Sequence, residues 1–244
     1  MKRFSDVMPG IIIALIVIIG ALFFWYQQGD FISKGEIIGE TRDVAGFDKV
    51  SISGSGLVMV KQSQEESLKI VADEKLMEYI ITKVVNEELQ ISYKKDIPSS
   101  LMISGVKFYM TVKDLEKIIL NGSAKLESST LSANELELVI SGSGRMTMNL
   151  EVENLVADLN GSGKFELEGM ANQQQVKVSG SGGFYGKKLE GKEGEVTLAG
   201  SGKVEINTVD KLDISISGSG SVYYLGGPVF GEVDVSGSGG VKKL

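Results

Sequence analysis

The chain has 244 residues, of which 42% are hydrophobic and 23% charged, a balance typical of a folded protein rather than a disordered one. It contains no cysteine and no histidine, which excludes thiolate nucleophiles, disulfides, Ser-His-Asp triads and histidine zinc sites. The net charge of −7 argues against a nucleic-acid-binding protein, because phosphate contacts need a basic surface. Any catalysis would have to use carboxylates, Lys, Arg, Tyr or Ser.

The N-terminal 28 residues have the pattern of a membrane anchor. Lys2 and Arg3 precede an apolar run from Ile11 to Trp25. With its apolar neighbours this run reaches about twenty residues, enough to span a bilayer. The positive N-terminus predicts that it stays in the cytoplasm, so that the rest of the chain is exported. A cleaved signal peptide is the competing interpretation.

This pattern predicts three segments: an anchor or signal peptide over residues 1–28, a polar linker over 29–40 and an exported domain over 41–244. With the anchor retained, the protein is a single-pass protein of the inner or cell membrane, and its C-terminal domain is periplasmic or extracellular. With the segment cleaved, the domain is secreted or periplasmic.

The exported domain repeats one short motif, Gly-Ser-Gly, and only the copy at Gly122–Ala124 has alanine in place of the second glycine. An early copy begins at Gly54. The first glycines of the later copies stand at positions 122, 142, 161, 180, 200, 218 and 237. A period of about 19 residues, sustained over half a chain, indicates a repeat architecture.

Apolar and polar residues alternate around every copy. The residues two and four positions before the first glycine, and the residue four positions after it, are apolar throughout. A period of two indicates strands with one buried face. A coil of about 19 residues cannot bury that face alone, so coils must stack. The sequence therefore predicts an all-β fold, a single-chain right-handed parallel β-helix with two or three short strands in each coil.

The same alternation predicts that both glycines of each copy face inward and that the serine faces outward. Inward glycines allow neighbouring backbones to approach closely, and stacked serine hydroxyls are expected to hydrogen-bond along the axis. The predicted structural ladder consists of Gly54, Gly56, Gly142, Gly144, Gly161, Gly163, Gly180, Gly182, Gly200, Gly202, Gly218, Gly220, Gly237 and Gly239.

The residues between Gly56 and Gly122 lack the motif and are expected to form irregular coils that cap the N-terminal end. Asp73 has the residue type of a helix N-cap. Three segments alternate like strands, namely Ser67–Ala72, Glu88–Tyr93 and Val106–Val112. At the other end of the chain, Lys242 and Lys243 would discourage a further strand from adding to the last coil.

Several of these features together resemble the auto-transporter adhesin head GIN domain family. They are Arg42 and Phe47 before the first motif, the runs Leu68–Asp73 and Glu88–Ile91, the Gly-Ser-Gly ladder, and Tyr224–Pro228. The resemblance covers about residues 40–244 and implies an exported bacterial β-helix protein with a binding role. Many members resemble lipoproteins, whereas this chain has no lipobox cysteine and carries an apolar segment of membrane length instead.

Two groups of outward-facing residues are candidates for a binding surface. The first is a basic column of Lys125, Arg145, Lys164 and Lys203. Glutamates two positions after three of these residues are expected to form local ion pairs, namely Glu127, Glu166 and Glu205. This face is either a groove for an anionic or neutral polysaccharide or an ordinary solvated surface. The second group is Tyr185 and Tyr223, which face outward where aromatic rings can stack on sugars or partners.

These features predict a non-enzymatic binding, adhesion or structural module of the bacterial cell envelope, tethered by its N-terminal helix. Its partners would be the membrane and an envelope protein or glycan, and not nucleic acid. No catalytic, cofactor or metal site is predicted. A carbohydrate-active enzyme, a polysaccharide lyase or hydrolase, is one alternative. It would need carboxylates and basic residues gathered in one cleft, usually built on long insertions, and the even motif spacing after Gly122 leaves no such insertion. An envelope sensor that works through a membrane partner is another.

Overall fold

A computed structural model describes residues 35–99, 101 and 103–244. The predicted anchor over residues 1–28 and the first part of the linker lie outside the described residues. Among the residues that are described, no helix is long and apolar enough to cross a membrane. The described domain is a single all-β solenoid whose strands form one continuous sheet.

The regular part of the solenoid is built from long strands that each make one coil. They are β9 (Lys125–Gly142), β10 (Arg145–Gly161), β11 (Lys164–Gly180), β12 (Gly183–Gly200) and β13 (Lys203–Gly218). Each pairs in parallel with the next, so that Val176, for example, lies opposite Val196. This confirms the predicted stacking of successive coils. The chain after β13 continues as β14 (Ser221–Gly226), β15 (Val229–Gly237) and β16 (Gly240–Lys243).

One part of the prediction is wrong, because each regular coil is a single continuous strand rather than two or three short ones. The pairing along each strand is interrupted only locally. In β10, Val152 and Asn154 pair with Ala171 and Gln173 of the next coil, with no pair between them. The ladder between β12 and β13 shifts register between Tyr185 and Glu190 and again between Gly191 and Glu193, and then resumes.

The N-terminal coils do not stack in sequence order. The described chain begins with β1 (Ile37–Arg42), β2 (Lys49–Gly54), β3 (Leu57–Gln62), β4 (Ser67–Asp73), α1 (Glu74–Met77), β5 (Ile80–Val85), β6 (Glu88–Tyr93), one 3-10 turn (Ile103–Gly105), β7 (Lys107–Val112) and β8 (Lys117–Gly122). Strands β6 and β7 pair in parallel with β2 and β3, and those two pair on their other edge with β8 and β9. The coil β2–β3 is therefore inserted between two coils that follow it in the sequence.

Antiparallel strands close this end of the solenoid, as the prediction of an N-terminal cap requires. Strand β4 pairs antiparallel with β7 and with β1, and β5 pairs antiparallel with β6. The three predicted strand segments are confirmed as β4, β6 and β7. Asp73 caps α1, since its carboxylate accepts a hydrogen bond of 2.9 Å from the backbone N–H of Lys75.

The apolar columns form the core, as the alternation predicts. Members such as Ile140, Leu159 and Val178 are fully buried, and so is the second glycine of each regular copy, such as Gly163. In the last coil, by contrast, Val233 and Val235 are 46% and 40% exposed.

The first glycine of each copy is half-buried or, at Gly122 and Gly237, exposed, so the prediction that both glycines face inward is confirmed only for the second. Gly161, for example, has φ of 127° and forms the corner itself. A Cβ atom added to Gly161 would lie 2.5 Å from the carbonyl oxygen of Gly142. Glycine is therefore needed at this corner both for its backbone conformation and for the contact with the coil below.

The predicted ladder of serine hydroxyls is not found among the described residues. Backbone groups hold the corners together instead: the N–H of Ser143 donates to the carbonyl of Gly122 at 2.8 Å, and that of Ser162 to Gly142 at 2.9 Å. The physical reason is spacing, because coils about 4.8 Å apart hold stacked hydroxyls farther apart than an O–H···O bond allows.

Candidate binding face

The predicted basic column exists on the outer face of the solenoid. Lys125, Arg145 and Lys164 lie opposite one another in successive coils, followed in the same column by Gly183 and Lys203. Two positions further along each strand runs a second column. It consists of Glu127, Thr147, Glu166, Tyr185, Glu205 and Tyr223. The two predicted groups of candidate residues therefore share one face.

The ion pairs on this face follow the predicted local pattern only once. Lys203 Nζ lies 2.6 Å from Glu205 Oε1, two residues along the strand. Arg145 instead pairs across coils with Glu166. In the described part of the chain, Lys125 and Lys164 form no ion pair, so the predicted local pairs with Glu127 and Glu166 are wrong. The Arg145 side chain is long enough to reach the next coil, so Glu166 pairs with Arg145 and not with Lys164.

Tyr185 and Tyr223 lie in the coils on either side of Glu205 and cover it. Glu205 is only 7% exposed, although its strand position faces outward. Lys203 Nζ lies 5.7 Å from the ring centroid of Tyr185 and 4.7 Å from that of Tyr223, within the range of a cation–π contact. The hydrogen bond to Glu205 raises the pKa of Lys203 above its ordinary value. The four side chains form one cluster, which we call the tyrosine clamp.

The orientation of the aromatic residues agrees with the alternation of the strands. Tyr185 and Tyr223 are half-exposed. Phe184 is fully buried and meets Phe165 edge-on, with ring centroids 6.2 Å apart. Tyr224 packs partly into the core. The burial of Glu205 was missed by sequence reasoning, yet a signal exists: Tyr185 and Tyr223 stand 20 and 18 residues from it, one repeat away on each side.

An open groove of about 670 Å³ adjoins the tyrosine clamp. Its walls carry both charges and hydrogen-bonding groups, and the polar residues that line it include Asn149, Lys164, Glu166, Glu168, Tyr185 and Glu205. The carboxylates here are paired: Glu166 with Arg145, Glu205 with Lys203, and Glu168 with Lys188 at 3.6 Å. The groove therefore offers a polar surface with one aromatic wall rather than a pair of free carboxylates.

A second groove, of about 790 Å³, lies on a different face. Acidic residues dominate it, including Glu135, Glu137, Glu193, Glu195 and Asp213, and no aromatic side chain lines it. Lys117 and Lys211 pair with Glu137 and Asp213 at 2.7 and 2.6 Å. Among the described residues, no group of three or more carboxylates is placed to hold a metal ion.

Solved structures share this fold over nearly their whole length. A putative adhesin from Bacteroides fragilis NCTC 9343 superposes with a TM-score of 0.82 at 22% identity, covering 87% of this chain and 99% of that chain. A putative lipid binding protein and a putative adhesin, both from Parabacteroides distasonis ATCC 8503, give TM-scores of 0.73 and 0.67 at 23% and 20% identity. Both cover 87% of this chain and 98% of their own.

No curated protein matches this chain. A profile of one family, described as "Putative auto-transporter adhesin, head GIN domain", matches residues 46–228, which span most of the solenoid. The chain belongs to the auto-transporter adhesin head GIN domain family.

Proposed function

We propose that this protein is a non-enzymatic adhesion module of the bacterial cell envelope that binds a glycan on its outer face. The observation that carries the proposal is the tyrosine clamp, where two half-exposed rings flank a lysine–glutamate pair beside an open groove. Aromatic rings stack on the apolar faces of sugar rings. Charged and amide side chains can donate hydrogen bonds to sugar hydroxyls and accept hydrogen bonds from them. The adhesin description of the family agrees with a binding role.

The rigidity of the scaffold supports binding rather than movement. The clamp residues come from three consecutive coils, β12, β13 and β14, each held to the next by a parallel ladder. Side chains on such strands are pre-organised, so less conformational entropy is lost when a ligand binds. A long, repetitive face of this kind suits an extended polymer that contacts several coils at once.

The proposal also places the domain outside the cytoplasm, tethered to the membrane through the apolar segment Ile11–Trp25. Its support is the sequence pattern of two positive residues followed by an apolar run of membrane length. The tether would keep the binding face within reach of cell-envelope or surface polymers.

The competing function is a polysaccharide lyase or hydrolase on the same scaffold. Such an enzyme needs carboxylates that are free to act on the substrate in one cleft. In this groove Glu166, Glu168 and Glu205 are engaged in ion pairs with Arg145, Lys188 and Lys203, so the groove favours recognition over cleavage.

The experiment that separates these functions exposes the purified full-length protein, in mild detergent, to a glycan array and to a panel of soluble polysaccharides. Retention of a glycan, with no new reducing ends and no unsaturated products after prolonged incubation, supports the proposal. Release of shortened products would overturn it in favour of the enzyme. Retention of no glycan at all would contradict the assigned ligand class.

A further inference from the structure

The two ends of the solenoid differ in whether further secondary structure covers the core. At the N-terminal end, antiparallel strands and α1 cover the core, and residues such as Leu68, Ile70 and Leu76 are at most 1% exposed. At the other end the described residues provide no such cover. Strands β15 and β16 pair only with β13 and β14, so their outer edges carry unpaired backbone groups. Solenoids with an open end of this kind expose both core and edge.

The exposed end is apolar as well as unpaired. Val233 and Val235 continue the inner columns of Ile214 and Ile216, yet they are 46% and 40% exposed, and Phe230 is 40% exposed. In every coil below, the equivalent residues are buried by the next coil. The open end therefore lacks one further layer of β-structure.

We propose that the missing layer is the same end of a second copy, so that two solenoids join through their last coils about a two-fold axis. Among the residues that the structure describes, one end of the solenoid is covered and the other is open. A head-to-tail contact would have to pair it with the covered N-terminal end, whereas an end-to-end contact uses the open surface twice and closes the assembly. The proposal does not rest on the glycan site, although Lys242 of the last coil lies next to Tyr223 of the tyrosine clamp.

The sequence of the last coil is self-complementary about Ser238. A two-fold axis through this corner lays β15 of one copy antiparallel on β16 of the other, with residues equally distant from Ser238 facing each other. Val235 then meets Val241, and both belong to inner columns. Asp234 meets Lys242, and both belong to outer columns, opposite Ser215 and Tyr223 of the coil below.

The arrangement therefore pairs Val235 with Val241 on the inside and opposite charges on the outside, twice over. The same register sets Val233 against Lys243, an inner pair that is apolar on one side only. It also gives Lys242 a different role from the one its position at an edge suggests. An unpaired lysine at a strand edge discourages the strand of an unrelated protein from pairing there. A lysine that is matched by Asp234 on the same edge instead favours pairing with a second copy of this chain. Charge complementarity thus identifies the occupant of the open end.

The absence of cysteine from the chain makes the geometry directly testable. The two copies of Ser238 would lie about 5 Å apart across the axis, the spacing of paired strands, which a disulfide can bridge. Full-length Ser238→Cys should form a disulfide-linked dimer under mild oxidation at low micromolar concentration. Ser143→Cys is the matched control, since Ser143 is the exposed serine of a corner in the middle of the solenoid, and it should stay largely monomeric.

Charge reversal supplies a second, independent readout by sedimentation velocity. Asp234→Lys and Lys242→Asp should each weaken the dimer about tenfold, because each change turns two attractive contacts into two repulsive ones. The double variant Asp234→Lys/Lys242→Asp should recover most of the wild-type dimer. Equal cross-linking of the two cysteine variants, a monomeric wild type, or a double variant no better than the single ones would overturn the proposal.

Discussion

The ring of Tyr93 lies against Gly54 at the corner where every later coil places one glycine on another. A Cβ added to Gly54 would lie 2.7 Å from Tyr93 Cδ2, whereas at Gly122 it would meet the carbonyl of Gly54. The Tyr93 hydroxyl donates a 2.6 Å hydrogen bond to the carbonyl of Ser55. Tyr93 thus ends the glycine column, and its burial raises its pKa well above the ordinary value for tyrosine.

This burial predicts a loss of stability at high pH that Tyr93→Phe should reduce. Below a pH of about 10, tyrosine is neutral in both the folded and the unfolded chain. As the pH rises further, the unfolded chain ionises first, so the free energy of unfolding falls until the pH reaches the raised pKa of the folded state. At neutral pH the variant should lose about 1 kcal/mol with its hydrogen bond.

Urea unfolding followed by circular dichroism between pH 7 and about pH 11 checks this prediction. Tyr109→Phe, which alters an exposed ring, is the control for removing any one tyrosine. If wild type and Tyr93→Phe lost stability in parallel over this range, the role assigned to Tyr93 would be wrong.

The two glycines of the motif should differ sharply in their tolerance of alanine. Gly161→Ala places a side chain on a residue with φ of 127° and drives its Cβ into the carbonyl of Gly142, so we expect a loss of about 3–5 kcal/mol in the free energy of unfolding. The Cβ added by Gly144→Ala would lie 3.0 Å from the nearest atom, the carbonyl oxygen of Ala124. Ala124 itself already occupies the equivalent position one coil away, so we expect the free energy of unfolding to fall by about 1 kcal/mol. Equal losses in thermal or urea unfolding would contradict this distinction.

Gln174 is a buried polar residue in a column of leucines, lying between Leu155 and Gly194. Its Nε2 donates to the carbonyls of Ala171, Leu189 and Asn207 at 3.2–3.4 Å. These carbonyls lie near the register shifts in the ladders of β12 with its two neighbours. The side-chain amide therefore repairs backbone hydrogen bonding where the ladder is interrupted.

Gln174→Glu should be strongly destabilising, because it replaces this donor with a buried acceptor facing three carbonyls. We expect a loss of about 3–5 kcal/mol at neutral pH, partly recovered at acid pH when the carboxyl is protonated. Gln175→Glu changes the exposed neighbour and should stay within about 0.5 kcal/mol of wild type. Chemical denaturation gives the free energy of unfolding of both variants. If Gln174→Glu were as stable as Gln175→Glu, the role proposed for Gln174 in backbone hydrogen bonding would be wrong.

The proposed tether makes a separate prediction about the native N-terminus. Mass spectrometry of the protein isolated from its own cells should show the segment Ile11–Trp25 still attached, and the protein should fractionate with membranes. A new N-terminus near Gln27 would instead identify a cleaved signal peptide and a released domain.

The parallel stacking and the core could be predicted because both depend on short-range patterns. A period of two places Ile140 and Leu138 on one face, and a period of about 19 residues places their equivalents in the next coil. The insertion of β2–β3 between later coils could not be predicted in this way. The pairing of Ile52 with Ile91 joins segments that share no motif, and only tertiary packing decides it.

The position of the candidate face was predictable, but its detail was not. The columns that contain Lys203, Tyr185 and Tyr223 follow from the repeat alone. The burial of Glu205 does not, because side chains from two other coils cover it. The choice of Arg145 to pair with Glu166 across coils rather than along the strand depends on side-chain reach. Local alternation carries no information about either.

The central claim, that the tyrosine clamp binds a glycan, is tested most directly by affinity measurements on matched tyrosine variants. Tyr185→Ala and Tyr223→Ala should each weaken binding of the best-retained polysaccharide about three- to tenfold, as loss of one stacking ring does. Tyr109→Ala removes an exposed tyrosine from the N-terminal cap and should bind like the wild type. Unchanged affinity in both clamp variants, or an equal loss in Tyr109→Ala, would contradict the claim.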